Sequence, residues 1–450
     1  MFSLYKPIYS IIWVFKWVFI MNELICDVVV IGGGIAGIQA SLDLANMNYR
    51  VILLESSPSI GGKMILLSKT FPTLDCASCI ATPRMAECAH HPNIKIITYL
   101  EVVSLDKQDR SFEIKIVKKP RYVDETKCIG CGRCSEVCPI EIPNEYEGGL
   151  VPRKAIYIPF PNALPNVALI DRENCIECGA CERICPVKAI DRDQKQEEIL
   201  IKARAIIIAT GLEFIDYLKK VEYGRGKYIN VLSSYQFERI LNATHPYGHI
   251  LRPSDGKIPR NIGYVLCVGS RDLSWGVKYC SAVCCMYSIK HAVMALHHLH
   301  DAEITIYYMD IRTYGKGFEE FYNRAVKEGV KFVRGKVAKI EEDPKTKDLF
   351  VYLENFDTGK VEVRRHDLVV LAVSIVPTIK DPALFKVKLN EYGFIERTLI
   401  DADPAFTSID GIFVAGTAAG PMDIPDTITS ASAAAMKASL YIEEGEKYER

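Results

Sequence analysis

The sequence predicts an α/β protein with two dinucleotide-binding units and a small cysteine-rich domain inserted into the first unit. Two observations lead to this prediction. A β-branched strand runs into a glycine loop that begins at residue 32, and two cysteine runs with the same spacing occupy residues 128–139 and 175–186. At roughly 150 residues per module, a chain of 450 residues has room for about three modules.

The first unit begins with the strand of residues 27–31, which leads directly into Gly32-Gly-Gly34-Ile-Ala-Gly37. A helix-like stretch follows, and then a second strand that ends in Glu55. A lone G-x-G-x-x-G loop is weak evidence, but strand, loop, helix, strand and terminal acid in this order are typical of a dinucleotide site. The helix N-terminus would face the pyrophosphate, and Glu55 would bind the adenosine ribose hydroxyls and repel a 2′-phosphate. The site therefore favours FAD or NAD.

Two later stretches favour FAD. Residues 205–211 read AIIIATG, a buried strand that ends in the Ala-Thr-Gly typical of two-dinucleotide flavoproteins. Residues 411–417 resemble the second FAD-binding stretch of those proteins, which usually has Asp where this chain has Thr417. A helix near residues 427–438 would point its N-terminus at the isoalloxazine ring and favour an anionic reduced flavin. The predicted FAD contacts are Gly32, Gly34, Ile35, Ala36, Gly37, Glu55, Gly62, Lys63, Val102, Thr210, Gly211, Gly416, Thr417 and Thr427.

The inserted domain carries two runs of the form C-x-x-C-x-x-C-x-x-x-C-P. With this spacing, three thiolates of a run surround one [4Fe-4S] cube and the fourth ligates the neighbouring cube. A zinc site has no use for a fourth cysteine followed by proline in both runs. The expected ligand sets are Cys128, Cys131 and Cys134 with Cys185, and Cys175, Cys178 and Cys181 with Cys138.

The second dinucleotide-binding unit lacks a phosphate cradle. A strand that begins near Ile262 is present, but no G-x-G-x-x-G loop follows it, and the chain runs instead into Trp275, Tyr279 and a cysteine group. A later strand, residues 303–308, ends near Asp310, so the fold is expected to persist. We interpret this unit as a nucleotide domain that has lost NAD(P).

Half of the 16 cysteines lie outside the two runs. The groups Cys76-Ala-Ser-Cys79 and Cys280-Ser-Ala-Val-Cys284-Cys285 could converge on a third cube, for which Cys76, Cys79, Cys280 and Cys284 are the expected ligands. Cys285 is left out because it points about 100° away from Cys284 on an ideal helix. The alternatives are a redox-active dithiol or exposed thiols, and inert burial. Cys26, Cys88 and Cys267 are expected to be core cysteines.

Lys290 lies on the helix that follows Cys284 and is the candidate catalytic residue. A cation beside the N5/N1 edge of a flavin would tune its potential. The alternative is a solvated helix lysine.

Composition excludes several classes of protein. The net charge of −1 gives no electrostatic footprint for nucleic acid or anionic lipid. A secreted disulfide framework is not expected either, because the chain can bury its own core and the cysteine spacings are those of metal sites. An anaerobic cytoplasmic location fits better, since exposed cubes are oxygen-labile.

The first 20 residues require a separate interpretation. The apolar stretch of residues 9–20 is broken by Lys16 and is shorter than the roughly 20 residues needed to span a bilayer. It also lacks the small-residue cleavage site of a signal peptide. We expect a start codon assigned too early, with Met21 as the true start, and the alternative is a membrane-surface contact through residues 8–20.

Four further motifs resemble those of the A-type subunits of CoB–CoM heterodisulfide reductase, which are the flavin-bearing iron–sulfur subunits of methanogens and sulfur-metabolising microbes. They are TFPTLDCxxC at residues 70–79, KPRYVD at 119–124, AIYIPFP at 155–161 and YCxxxCCM at 279–286. The resemblance covers residues 23 to about 440. It implies a thioredoxin-reductase-like fold with a two-cluster ferredoxin domain inserted in the FAD domain, a third cluster from the two remaining cysteine groups, and no pyridine-nucleotide site.

The expected domain boundaries follow from the motifs and the resemblance. Residues 21–121, 193–255 and 376–450 would form the FAD-binding domain, residues 122–192 the inserted 2×[4Fe-4S] ferredoxin domain, and residues 256–375 the degenerate nucleotide-binding domain. Full-length family members carry an extra N-terminal domain and a C-terminal ferredoxin module, so this sequence is expected to be a short form.

The expected function is that of an electron-transfer component, in which FAD exchanges electron pairs and the clusters pass single electrons to a partner. The resemblance implies heterodisulfide reductase B and C subunits as well as an electron-donor enzyme as partners, and a homo-oligomer within a larger complex. Electron bifurcation, which full-length members perform, would need paths supplied by those partners. The alternatives are a self-contained NAD(P)H-dependent disulfide oxidoreductase using Cys76 and Cys79, a ferredoxin-like relay with a vestigial flavin fold, and a quinone-linked membrane-complex relative.

Overall fold

A computed structural model of the protein describes residues 19–20, 23–215, 217–379, 382–398 and 404–449. The expected start at Met21, and residues 8–18 of the segment considered for membrane contact, lie outside the described residues. Across these ranges, no helix combines the length and the apolar character that a membrane span requires.

The described chain contains both strands and helices, with several runs of consecutive strands. The strands are β1 (Phe19–Ile20), β2 (Glu23–Ile25), β3 (Val28–Ile31), β4 (Val51–Glu55), β5 (Ile94–Thr98), β6 (Leu100–Gln108), β7 (Ser111–Lys118), β8 (Glu141–Pro143), β9 (Pro152–Lys154), β10 (Ile156–Tyr157), β11 (Leu169–Ile170), β12 (Glu197–Ala203), β13 (Ala205–Ile208), β14 (Leu212–Phe214), β15 (Val231–Ser233), β16 (Asn261–Val268), β17 (Glu303–Tyr308), β18 (Lys331–Glu342), β19 (Leu349–Asn355), β20 (Lys360–His366), β21 (Leu368–Val373), β22 (Ile375–Pro377) and β23 (Ile412–Val414). The α-helices are α1 (Ile35–Asn46), α2 (Ala77–His90), α3 (Arg133–Glu136), α4 (Ala180–Ile184), α5 (Ser234–Ile240), α6 (Cys284–His298), α7 (Phe318–Lys327), α8 (Pro382–Phe385) and α9 (Ile424–Glu449). Short 3-10 turns occupy Met64–Leu66, Glu145–Glu147, Tyr217–Lys219, Val221–Tyr223 and Gly416–Ala418.

The first unit is a parallel sheet with the strand order β23-β13-β3-β4-β5. Its strands are apolar throughout because both faces are covered. Helices α1, α2 and α9 pack on one face, and the mixed sheet β1-β2-β12-β7-β6 covers the other. The chain leaves β3 through α1 towards β4, whereas β13 lies on the other side of β3. The carboxyl end of β3 is therefore a switch point of the sheet, where such folds bind ligands.

The cysteine-rich insert leaves the mixed sheet between two neighbouring antiparallel strands. β7 ends at Lys118 and β12 begins at Glu197, and these two residues are register partners. Residues 119–196 therefore form an excursion that starts and ends at one point of the sheet. It contains α3 and α4 and a small apolar core that includes Val123 and Ile156. The expected insert, residues 122–192, lies within this excursion.

The second unit is a sheet with the order β15-β21-β16-β17-β18-β19-β20. The strands from β15 to β18 are parallel, and β18, β19 and β20 form an antiparallel meander. Helices α5, α6 and α7 cover one face. Both strands expected in this unit are present as β16 and β17, although no glycine loop joins them. Two parallel α/β units with a cysteine-rich insert agree with the predicted fold class.

Candidate functional site

The glycine loop lies at the carboxyl end of β3 and shapes a cradle. Gly32 has a φ of +114°, and a Cβ there would lie 2.2 Å from the Ala209 carbonyl oxygen. A Cβ on Gly37 would lie 1.8 Å from the Gly32 carbonyl oxygen. Both positions therefore require glycine, the first for the turn and the second for helix packing. Gly34 differs, because its Cβ would meet nothing nearer than the Gly62 Cα at 3.9 Å, so the space in front of it can admit a ligand.

The predicted acid and hydroxyl lie at the same edge. Glu55 Oε2 accepts a hydrogen bond from the Gly33 backbone N–H at 2.6 Å, and Oε1 accepts one from the Ser57 N–H at 2.7 Å. Thr210 follows β13, and its Oγ1 is buried without a hydrogen-bond partner among the described residues. Buried hydroxyls rarely lack a partner, and a bound dinucleotide would supply one. The residues of this edge therefore fit FAD.

The second predicted FAD stretch reaches the same edge. A Cβ on Gly416 would lie 2.8 Å from the Ala36 Cβ and 3.1 Å from the Thr427 Cγ2, so the starts of α1 and α9 meet at this glycine. Thr417 Oγ1 would lie 4.0 Å from a Cβ on Gly211. The structure thus brings both stretches to the glycine loop.

The start of α9 carries a charge that the sequence motifs did not indicate. Asp423 Oδ1 accepts a hydrogen bond from the Asp426 N–H at 2.9 Å and so caps the helix. Burial raises the pKa of Asp423. When ionised, this carboxylate weakens the positive field of the helix end, on which the expected stabilisation of an anionic flavin depends.

Two predicted FAD contacts have partners away from the glycine loop. Lys63 Nζ pairs with Glu213 at 3.1 Å and lies 5.3 Å from the centroid of the Phe214 ring. Val102 lies in β6 opposite Ile116 and packs against the core between the two sheets. For Val102, the sheet interior accounts for the apolar side chain without a ligand.

Two cavities in the insert separate its eight cysteines into the two expected sets. Left-handed glycines, Gly132 and Gly179 at φ +74°, begin α3 and α4 and turn each run around its cavity. One cavity is lined by Cys138, Cys175, Cys178 and Cys181, and the other by Cys128, Cys131, Cys134 and Cys185. Nowhere in the described chain do three His, Cys, Asp or Glu side chains converge closely enough to hold a single metal ion. A four-iron cube needs a wider spacing, and four thiols around one cavity are the donor set that it takes.

Most of the remaining cysteines lie in two places. Cys76 and Cys79 are joined as a disulfide at the N-terminus of α2, and the Cys79 N–H donates to the Cys76 Sγ at 3.2 Å. Cys284 and Cys285 begin α6, and Cys267 lies near the end of β16. The expected ligand set of Cys76, Cys79, Cys280 and Cys284 therefore stays a prediction.

Cys280 belongs to the group of Cys267, Cys284 and Cys285. The Arg271 N–H donates to the Tyr279 carbonyl at 2.9 Å, and the Ser270 and Ser281 hydroxyls are 2.9 Å apart, so the chain just after Cys267 lies beside the residues that flank Cys280. The hydrogen bond from Cys284 lowers the pKa of the Cys285 thiol to about 7, against the effect of burial. These four residues are called the second-unit cysteine group below.

Local geometry differs from the sequence-based expectation at two members of this group. Cys267 has a φ of +59° at a register irregularity between Val265 and Val268, so its side chain leaves the alternation expected of a strand. Helix α6 begins at Cys284, and Val283 precedes it as the N-cap, so Cys280 is outside the helix and helical spacing does not apply to it. The only available signal was that Cys267 lies at the end of the strand that leads to the other three cysteines.

Lys290 does not have the environment expected of a residue beside a flavin. Its Nζ donates to both Glu238 oxygens at 2.8 and 2.6 Å and to the Lys69 carbonyl at 2.9 Å, so its three hydrogens are engaged. Glu238 also accepts hydrogen bonds from Ser68 and is bonded to His291. Although burial opposes ionisation, Lys290 and His291 hold the pKa of Glu238 well below its usual range. Because α6 is buried along most of its length, a lysine there needs an acidic partner, and α5 supplies it.

Two family descriptions match parts of the chain. Residues 127–190 match the 4Fe-4S dicluster domain, and residues 27–72 match the FAD dependent oxidoreductase family. These matches agree with the two four-cysteine cavities and with the glycine cradle, and they confirm FAD and [4Fe-4S] clusters as the predicted cofactors.

Curated relatives align along most of the chain. It is 51% identical over 424 residues to one of the A-type iron-sulfur subunits of CoB–CoM heterodisulfide reductase in Methanopyrus kandleri. It is 48% identical over 422 residues to the corresponding A-type iron-sulfur subunit in Methanocaldococcus jannaschii. Each alignment covers 93% of this chain and 64% of the relative, so the chain spans a little under two thirds of their length.

Solved structures support the fold. Thioredoxin reductase of Lactococcus lactis superposes with a TM-score of 0.54 at 16% identity, covering 93% of this chain and 99% of that one. Thioredoxin reductase of T. acidophilum gives 0.52 at 17% identity, covering 94% and 99%. At this identity the likeness concerns the fold alone, and it confirms the predicted thioredoxin-reductase-like architecture.

Proposed function

Because this chain belongs to the family of A-type subunits of CoB–CoM heterodisulfide reductase, we propose that it is an oxidoreductase component that transfers electrons between FAD and [4Fe-4S] clusters. One observation carries the proposal: a dinucleotide cradle and two four-cysteine cavities occur in one chain. The insert that holds the cavities is attached to the same mixed sheet that covers the FAD-binding unit. Bound FAD would supply the exchange of electron pairs for single electrons.

The residues of the first unit would hold FAD by its two ends. The open face of Gly34 admits the pyrophosphate at the N-terminus of α1, and Glu55 accepts hydrogen bonds from the ribose hydroxyls. The unpartnered hydroxyl of Thr210 and that of Thr417 would bind the remainder of the cofactor at the carboxyl ends of β13 and β23. Gly416 and Thr427 bring the start of α9 to this end of the site.

The cysteines of the insert would hold two cubes in the sets that line the two cavities. The second-unit cysteine group would hold a third cube, since its four cysteines lie between the end of β16 and the start of α6, which the Ser270–Ser281 contact brings together.

Partner proteins would accept or supply electrons at the insert. Cys131 and Cys178 are exposed, and the apolar Ile129 and Ile176 beside the runs are 63% and 60% exposed. This apolar surface next to the clusters suits docking of another redox protein. By family membership, we infer B- and C-type subunits, an electron-donor enzyme, and a homo-oligomer within a larger cytoplasmic complex.

Anaerobic purification followed by iron, sulfide and flavin analysis tests the proposed function. We expect one FAD and about twelve irons per chain, four for each of three cubes. A chain without flavin would contradict the proposed function. About eight irons with one FAD would contradict only the third cube and leave the electron-transfer role in place.

The disulfide between Cys76 and Cys79 favours a second candidate function, thiol–disulfide exchange. Cys79 is exposed, and the pair lies at the N-terminus of α2, where the positive helix end stabilises a thiolate. Reduction would break the S–S bond and take up two electrons and two protons, supplied by FADH2 or by an external dithiol. An NAD(P)H-dependent form has no support from the second unit, which lacks the glycine loop.

Cysteine substitutions separate these roles. We expect the Cys76→Ser/Cys79→Ser variant to keep about twelve irons, whereas Cys267→Ser or Cys285→Ser should lose about four. Cys88→Ser, a buried cysteine outside the group, is the matched control and should keep all of them. Iron analysis and differential alkylation measure both effects. If the double variant loses about four irons, Cys76 and Cys79 are cluster ligands and the exchange function is wrong.

A further inference from the structure

The second unit places its cysteines where an intact dinucleotide-binding unit places a pyrophosphate. β16 lies between β17 and β21 at the switch point of its sheet, and Cys267 lies at its carboxyl end. The helix that follows, α6, begins with Cys284 and Cys285. In open α/β sheets this crevice is the ligand site, and the helix N-terminus there favours an anion. A thiolate-ligated cube is such an anion, and it would take the position of the lost phosphates.

The acid of this unit is paired with an arginine that lies beside the cysteines. Asp310 follows β17, at the position where an intact unit carries the residue that binds the ribose. Here its carboxylate forms an ion pair with Arg271, and Arg312 Nε lies 3.5 Å from its other oxygen. The Arg271 backbone N–H donates to the carbonyl of Tyr279, the residue before Cys280. Two arginines and one aspartate thus border the second-unit cysteine group.

We propose that Arg271, Asp310 and Arg312 set the reduction potential of the cluster held by the second-unit cysteine group. The proposal rests on the third cube inferred above. Reduction adds one negative charge to a cluster that is already anionic, so nearby cations favour the reduced form and a carboxylate disfavours it. Two guanidinium groups against one carboxylate leave a net positive charge, which raises the potential of this cluster.

The loop that carries Arg271 is held in place independently of that charge. Arg271 has a φ of +56°, and its N–H donates to the Tyr279 carbonyl at 2.9 Å. The hydroxyls of Ser270, Ser281 and Ser374 form a buried chain with links of 2.9 Å, which ties the loop to the end of β21. Removing the charge of Arg271 should therefore change the field at the cysteines while the loop stays in place.

Redox titration followed by electron paramagnetic resonance, on the full chain purified anaerobically, tests the proposal. The signal lost in Cys280→Ser identifies the third cluster. Arg271→Gln should shift the midpoint of that signal to lower potential, Asp310→Asn should shift it to higher potential, and Arg271→Lys should restore most of the wild-type value. High salt should reduce the Asp310→Asn shift, because the Asp310 side chain is 46% exposed.

The signals of the insert clusters serve as an internal reference, and Arg334→Gln serves as the matched control. Arg334 lies in β18 with its side chain 55% exposed, and its substitution should move no midpoint. About twelve irons with an unmoved third signal in Arg271→Gln and Asp310→Asn would overturn the proposal and leave the electron-transfer function intact. An equal shift of all signals would also overturn it. An iron content of about eight per chain would mean that the third cluster is absent, and this result would overturn the proposal as well.

Discussion

Replacing Gly34 with alanine is expected to remove FAD from the chain while leaving its fold and its iron–sulfur content unchanged. Gly34 has an ordinary φ of −74°, and its Cβ would meet nothing closer than 3.9 Å within the protein. The new methyl group would instead point into the space that admits the pyrophosphate. We expect at least a tenfold loss of FAD affinity, which corresponds to about 1.4 kcal/mol.

Flavin absorbance after gel filtration, together with iron content and thermal unfolding, measures this effect. Gly445→Ala is the matched control, since a Cβ there would be 3.6 Å from Arg110 Nη1 and lies far along α9 from the cradle. Gly37→Ala provides the contrast, because its Cβ would overlap the Gly32 carbonyl and should destabilise the fold itself. Full flavin content in a folded Gly34→Ala variant would show that the dinucleotide lies elsewhere.

Replacing Glu238 with glutamine is expected to lower the free energy of unfolding by about 3–5 kcal/mol, because it leaves a buried ammonium without a counter-charge. Glu238, Lys290 and His291 are 3%, 2% and 1% exposed. Adding Lys290→Met to this variant should recover part of the loss, since neither charge then remains. Denaturant unfolding measures these values, and Glu222→Gln, whose side chain is 51% exposed, should change stability by less than about 0.5 kcal/mol.

The same ion pair gives the stability of the wild-type protein a defined pH dependence. Glu238 has a pKa well below its usual value of 4.5 in the folded state, held there by Lys290 and His291 against the effect of burial. Its contribution is therefore fully present above pH 4.5 and is lost as the pH falls towards the folded pKa. Glu238→Gln should lose that part of the acid sensitivity. An unchanged acid profile in a variant of lowered stability would contradict this account.

Much of the fold and of the FAD cradle could be predicted from sequence because the informative residues are neighbours in the chain. The glycine loop, the strand before it and Glu55 belong to one strand–loop–helix–strand segment, and local sterics restrict what such a segment can form. The cysteine runs are equally local, and the structure sorts them into the sets expected from their spacing. The contacts of Val102 and Lys63 were harder to predict from the sequence, because the contacts of an isolated apolar or charged residue depend on distant elements.

The sequence by itself determined the family, the fold class and the cofactors of this protein, since each is encoded in motifs whose spacing is local. Only the tertiary structure decided that Cys267 leaves the strand alternation near the end of β16, that Cys280 lies outside α6, and that Lys290 is paired with Glu238, 52 residues away. The physical reason is that these contacts depend on a single left-handed residue at the end of β16, on the residue where α6 begins, and on the packing of α5 against α6. The hydrophobic periodicity of the sequence does not predict such features.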